Sequence, residues 1–498
     1  METEYNLFGY IRPFRLKKEN PLKIRRDKYS EEKMKKNDSV KVDLEEELSY
    51  KKENFFECSS EEKISAAMEY AEGYKKFLDE SKTEREAVVA SIRYAEAHGF
   101  KPYNFGDKLK VGDKRYYNNR GKSLVLFKIG KEDLAKSGIR IIASHIDSPR
   151  LDVKQNPLYE DSEMAFLKTH YYGGIKKYQW TTIPLALHGV VALKGGRTVS
   201  VNIGEGENDP VFYVDDLLPH LSKEQYGKPL SQAIDGETLN VLIGGMPVKS
   251  EAKEKIKLSV LKILNEKYGM VEKDFLSAEF SLVPAFKAKD VGLDRALIGG
   301  YGHDDRVCSY PALTAICDGK SDFTSMVILA DKEEIGSEGN TGMQCGVYLD
   351  LIEMICEEFK KPSAVVRYNS KCLSADVTAA FDPNFASVYE KKNSSLVSCG
   401  TTICKFTGSG GKGGSNDANA EYVGFVRDVF EKNGVNYQTA ELGKVDAGGG
   451  GTVAKYIAKM NIDTIDIGVP VISMHSPYEV ISKGDLYSSY EAFLAFVS

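Results

Sequence analysis

The sequence predicts an α/β protein in which one sheet-and-helix domain is split by a mostly β insertion. Three observations carry this expectation. Short apolar runs at 124–129, 141–143, 326–330, 364–368 and 462–472 read as buried strands. Segments near 305–318, 345–360, 417–433 and 486–497 carry helical spacing between the later runs, the alternation of a sheet covered by helices. Between 152 and 284 the pattern changes to β-rich pieces punctuated by Gly and Pro, at 183–193, 198–203 and 238–248.

Taken in order, residues 1–58 form a charged extension. Residues 1–60 hold 27 charged side chains, and 12–36 has eleven basic residues against four acids, which suits a solvated tail or a docking arm. Globular patterning starts at Ser59, which with Glu62 makes a capping box ahead of Ile64, Ala67, Met68, Ala71, Tyr74 and Leu78 at helical spacing. Thr83 and Glu86 repeat the cap for a second helix, and Gly99 after His98 supplies its stop. The expected division is therefore an α/β domain of 59–151 and 285–498, interrupted by a β domain at 152–284. The glycine clusters at 408–414 and 448–451 read as tightly turning loops.

At 498 residues, with 42% hydrophobic and 28% charged side chains, the chain has the composition of a folded protein of about two or three domains. Its 67 basic and 73 acidic residues leave a net charge of −6, with no global pull toward nucleic acid or anionic lipid, so small molecules or peptides are the expected partners. The first ten residues lack an apolar signal core, and the longest apolar stretch, 183–193, is too short to span a bilayer, so a cytoplasmic location is expected. Eight cysteines without a Cys-x-x-Cys pair predict reduced, mostly buried thiols and no thiolate zinc site.

Of seven histidines, two are conspicuous for following apolar runs. His145 closes the run 141–143, and Asp147 two residues on shares its face of an extended chain, the placement of a carboxylate that orients a metal-binding imidazole. Asp304-Asp305 follows Gly299-Gly300-Tyr301-Gly302 and opens a helix, Asp331-Lys332-Glu333-Glu334 follows 326–330, and Asp376 follows Ser374-Ala375. His475 follows the run 462–472. Ends of strands in an open α/β sheet gather at one edge, and carboxylates brought together there repel unless cations neutralise them. Two histidines and several acids without a thiolate make a mixed N/O set suited to zinc, manganese or cobalt, hence a metal hydrolase.

Ser144-His145-Ile146-Asp147-Ser148-Pro149, Asp304-Asp305-Arg306, Glu333-Glu334-Ile335-Gly336-Ser337, Asp376 and Met474-His475-Ser476 occur in the order found in the aspartyl aminopeptidase and aminopeptidase I family of two-zinc exopeptidases, which the chain resembles from about Ser59 onward. Tyr172-Gly173-Gly174 and Pro219-His220-Leu221 add to the similarity. The resemblance implies a phosphorylase/hydrolase-like zinc exopeptidase domain with a mixed sheet, interrupted by a β-rich oligomerisation domain. It implies two Zn2+ per subunit, with Co2+ or Mn2+ as substitutes: Asp304 bridging, His145 and Asp376 on one ion, Glu334 and His475 on the other. Glu333 is then the base that takes a proton from water, and Asp147 holds His145.

Relatives of this kind assemble from dimers into tetrahedral dodecamers that admit short peptides, and a neighbouring subunit lends a histidine to the site. In this chain Asp216 or His220 stands near that position. Thr182-Ile183-Pro184 replaces an Asp-Arg-Asp run of aspartyl-specific relatives, and their substrate-recognising lysine corresponds to Lys405 or Lys412, so acidic and neutral N-terminal residues both remain open. So do a two-metal deacylase or carboxypeptidase and a non-catalytic shell or scaffold. The segment 408–415 is no phosphate loop, because Gly413 rather than Ser or Thr follows Lys412.

Overall fold

A computed structural model describes residues 48–498, so the basic stretch 12–36 lies outside the described residues. The chain divides into two units, Met1–Lys51 and Lys52–Ser498, and the sheets belong to the second.

Its main sheet has nine strands. Four central ones, Thr324–Ala330, Ile139–His145, Lys371–Ala375 and Asp463–Gly468, run parallel side by side in that spatial order. Ser123–Lys128 pairs antiparallel on one flank and Thr401–Cys404 on the other, which makes the sheet mixed. Because side chains alternate along a strand, each central strand feeds two cores. Ile142, Val327, Leu329, Leu373 and Ile467 pack against helices Glu61–Glu80, His303–Asp318 and Lys483–Val497, whereas Ile141, Ala143, Met326, Ile328 and Cys372 face helix Val347–Glu358. A strand covered on both faces reads as a continuous apolar run, which is why Thr324–Ala330 is buried throughout.

The Thr83–Glu86 capping box opens helix Glu84–Ala97 as expected, and Gly99 follows at φ +85°. Two expectations are corrected. The cap of Glu61–Glu80 is Ser60, whose Oγ accepts from the Lys63 N–H; Ser59 instead ends the preceding turn Phe55–Cys58, its N–H donating to Phe55 O. The run 364–368 is helix Ser363–Asn369 rather than a strand: Pro362 sets its start, and only Val366 is buried, so one side chain anchors a surface turn while the strand begins at Lys371.

A second sheet lies wholly within 150–284. Its seven strands, in the order Thr198–Ile203, Leu185–Ala192, Ala278–Pro284, Arg150–Asp161, Met164–Tyr172, Val241–Gly244 and Tyr213–Val214, are antiparallel throughout. Leu151, Leu167, Trp180, Leu187, Val241 and Leu282 form its own core, with Ile256, Val260 and Leu264 of helix Lys255–Tyr268 packed on it. A three-stranded sheet, Lys289–Val291, Leu297–Gly300 and Glu479–Ser482, sets Gly300 opposite Glu479.

All eight cysteines are free, and six of them are buried. No helix among the described residues is long and apolar enough to cross a membrane.

The packed chain takes in residues of the expected N-terminal extension. Phe55 is fully buried, its N–H donates to Ser398 O at 2.7 Å, and its ring meets Tyr487 edge-on. Phe55→Ala is expected to destabilise the protein by about 3–5 kcal/mol, the usual loss for a buried Phe, seen as a lower thermal midpoint.

Candidate metal centre

The four parallel strands end at one edge, and each hands a functional residue to it. His145 is the last residue of its strand and Asp376 directly follows Ala375. Glu333 and Glu334 form a tight turn beyond Ala330, and His475 lies on the loop after Gly468. Asp304 comes from the start of His303–Asp318, behind Gly302 at φ +79°.

Asp304 sits between the histidines. Its Oδ1 is 3.1 Å from His145 Nε2 and its Oδ2 is 3.1 Å from His475 Nε2. Asp376 Oδ1 lies 3.7 Å from His145 Nε2, and Glu334 Oε2 lies 3.6 Å from His475 Nε2. Two ligand sets result, His145, Asp304 and Asp376 in one and His475, Asp304 and Glu334 in the other, each with its donor atoms within 4.8 Å of one another.

The chemistry of this set fits a pair of cations. His145 Nδ1 donates to Asp147 O at 3.0 Å and His475 Nδ1 donates to Gly174 O at 2.8 Å. With Nδ1 so engaged, Nε2 of each ring faces two carboxylates, and in the neutral form that ligates a metal its lone pair is repelled there unless positive charge lies between. Asp304 Oδ1 and Glu334 Oε1 are buried with no hydrogen-bond partner. Burial alone lowers an imidazole, yet Asp147, Asp304 and Asp376 raise His145 well above its usual value, and Asp304 and Glu334 push His475 up to about 11. Burial raises Glu334 and Asp376, with Asp304 adding to both. Asp304, which burial would raise, is held well below the carboxylate range by the two histidines.

A shell of backbone contacts fixes these side chains. Asp147 Oδ1 and Oδ2 accept the N–H groups of Glu333 and Glu334 at 3.1 and 3.2 Å, so the residue expected to hold His145 also holds the Glu333–Glu334 turn. Asp305 Oδ2 accepts from His145 N at 3.4 Å. Arg306, fully buried, donates to Ser148 Oγ and Ile146 O, and Ser148 Oγ donates to Asp304 O at 2.5 Å.

Two supporting roles escaped the sequence reading, those of Glu479 and of Tyr172, the latter named there only for its resemblance. Glu479 Oε1 accepts from His475 N at 2.7 Å and its Oε2 from Asp304 N at 3.1 Å; its one local signal is its place four residues after His475. Tyr172, from the second sheet, donates to Asp147 Oδ2 at 2.8 Å, and the Arg150 guanidinium lies 4.0 Å over its ring. The next two residues complete the contact: Gly173, at φ +77°, has its Cβ position 3.1 Å from Glu334 Oε2, and Gly174 supplies the carbonyl for His475.

The centre opens into a cleft of about 530 Å³ also lined by Thr452, Lys455, Tyr456 and Asp466. Lys405 and Lys412 are not among its lining residues; both pair with Asp417 instead. Asp216, which accepts from Gln225 Nε2, and His220 lie exposed between the strands of the second sheet.

The profile described as aminopeptidase I zinc metalloprotease (M18) matches residues 77–497. The probable M18 family aminopeptidase 1 of Clostridium acetobutylicum is 48% identical over 457 residues, covering 89% of this chain and 98% of the relative. The crystal structure of the M18 family aminopeptidase from Thermotoga maritima superposes with a TM-score of 0.86 at 42% identity, covering 90% of this chain and 99% of that one. A dodecamer of yeast mApe1, 23% identical, shares the fold with a TM-score of 0.71 over 86% of this chain and 96% of that one.

Tyr172→Phe keeps the ring and removes the bond to Asp147. Loss of such an outer hydrogen bond is expected to weaken metal affinity about 10- to 100-fold, measured by competition with a chelator, with the thermal midpoint of the metal-free protein nearly unchanged.

Proposed function

Because this chain belongs to the aminopeptidase I zinc metalloprotease family (M18) and is an aminopeptidase, a peptide hydrolase, we propose that it removes N-terminal residues from short peptides at a two-metal centre. The observation that carries the reading is Asp304, with one carboxylate oxygen turned to each histidine. His145 and Asp376 hold one ion in this reading, Glu334 and His475 the other, and Asp304 bridges. Zinc is the resident metal, and cobalt or manganese suits the same N/O donors. The bound ions supply Lewis acidity toward a water and the scissile carbonyl.

The chain's own groups do the rest. Glu333 lines the cleft beside the ligand sets without belonging to either. Burial, with Asp376, Asp147 and Asp304 nearby, pushes Glu333 up to about 8 against the pull of His145, and cations in the ligand sets act in the opposite direction. A carboxylate tuned between these influences accepts a proton from water and returns it to the leaving amine. Asp147 fixes Glu333 by its backbone N–H, so base and ligand Glu334 keep one spacing.

The second sheet serves assembly in this reading. Leu217, Leu218, Leu221, Tyr226, Leu230 and Met246 all expose most of their apolar surface or about half of it, more than a monomer needs to show. A homo-oligomer built from dimers, a tetrahedral dodecamer in its full form, covers them and restricts entry to short peptides. The deacylase, carboxypeptidase and scaffold readings give way to the family membership, and both acidic and neutral N-terminal residues remain within reach of the cleft.

Glu333→Gln is expected to keep bound metal and lower turnover about 10²- to 10⁴-fold, read as release of free amino acid from unblocked peptides; an unchanged rate removes Glu333 from the role. His475→Ala is expected to lower metal content toward one ion per subunit and Asp304→Ala toward none, measured by elemental analysis. Full stoichiometry in both overturns the ligand assignment.

A further inference from the structure

The residues lining the cleft include Asp304, Glu333, Glu334, Asp376 and Asp466, but a single Lys or Arg, Lys455. Its position is fixed from two sides. Thr452, two residues before helix Ala454–Ala458, donates through Oγ1 to Asp466 Oδ1 at 2.7 Å, which ties the helix start to a central strand. Tyr456 donates its hydroxyl to Gly336 O at 3.3 Å, and Gly336 closes the turn that carries Glu333. These bonds tie the backbone on either side of Lys455 to a central strand and to the turn of the proposed base.

The ammonium itself is uncommitted. Lys455 Nζ lies 4.9 Å from the centre of the Tyr456 ring and beside Gly451, where an added Cβ would come within 3.0 Å of it. No carboxylate lies within ion-pair distance of Nζ among the described residues, in contrast to Lys405 and Lys412, which Asp417 occupies. A half-buried ammonium backed by an aromatic ring, in a cleft whose acids are the two ligand sets, the proposed base and Asp466 engaged by Thr452, offers a charge-assisted bond to an incoming anion.

We infer that Lys455 is a specificity-determining residue that binds a carboxylate of the peptide substrate. The inference rests on the aminopeptidase reading and deepens it. The carboxylate has two sources in a short peptide, the side chain of an acidic N-terminal residue and the C-terminal group of a di- or tripeptide.

The test compares wild type with Lys455→Met and Lys455→Glu in two peptide pairs: Glu-Ala-Ala-amide against Gln-Ala-Ala-amide, and Leu-Gly against Leu-Gly-amide. Metal content and thermal midpoint serve as controls for folding. Lys455→Met is expected to lower kcat/KM about 10- to 100-fold, the size of a hydrogen bond to a charged group, for the carboxylate-bearing member of one pair, chiefly through KM. Lys455→Glu is expected to reverse the order within that pair. A loss confined to the first pair assigns the side-chain carboxylate, and one confined to the second assigns the C-terminus. Equal effects on both members of each pair, or no effect in either, overturn the inference. Calorimetric binding of the same peptides to the metal-loaded protein keeps the two readings apart. Carboxylate discrimination that depends on Lys455 without turnover overturns the peptidase reaction and leaves the subsite; turnover without such discrimination does the reverse.

Discussion

A carboxylate buried between two imidazoles, each facing a second acid, is stable only where positive charge is supplied, and much of the structure answers to that condition. Asp304 is 3% exposed and is reached from both sides by Nε2 atoms whose rings are locked by carbonyl acceptors on Nδ1. The parallel order of the central strands delivers His145, Glu334 and Asp376 to the same edge, and the small three-stranded sheet brings Glu479 against Asp304 and His475. Arg306 and Ser148 then hold the chain segments on either side of the donors.

The second sheet is more than an appendage to this edge. Tyr172, Gly173 and Gly174 leave the end of one of its strands and touch Asp147, Glu334 and His475 in turn, so a single short segment addresses both ligand sets. Any side chain at Gly173 would press on Glu334, and its positive φ favours glycine independently. The second sheet is thereby joined by one strand to the candidate metal centre.

The central architecture was legible because covered parallel strands leave long apolar runs, and because ligands at strand ends follow those runs directly, as His145 and Asp376 do. Helix caps were legible where two polar partners repeat at fixed spacing, as at Thr83 and Glu86, and less so where two serines adjoin, as at Ser59 and Ser60. The run 364–368 misled because apolar content alone does not separate a strand from a one-sided surface helix. Three non-glycine residues in or beside the candidate ligand sets, Lys332, Ser473 and His475, adopt left-handed φ near +60° to +65°. No local sequence preference marks such positions; they persist where surrounding bonds over-determine them, as Glu479 does for His475. The roles of Glu479 and Tyr172 were hidden for a different reason, since their partners are set by tertiary contact rather than by spacing.

The span from His145 to His475 covers two thirds of the chain. No local piece of the protein holds a complete donor set, and the contacts that create one join segments far apart in the chain, at a high cost in loop closure. A chain still partly folded thus carries its acids and histidines as separate, harmless side chains. Hydrolytic capacity appears only with the finished architecture, so a peptide-cleaving protein of this design passes through its own vulnerable, unfolded stage without a working blade.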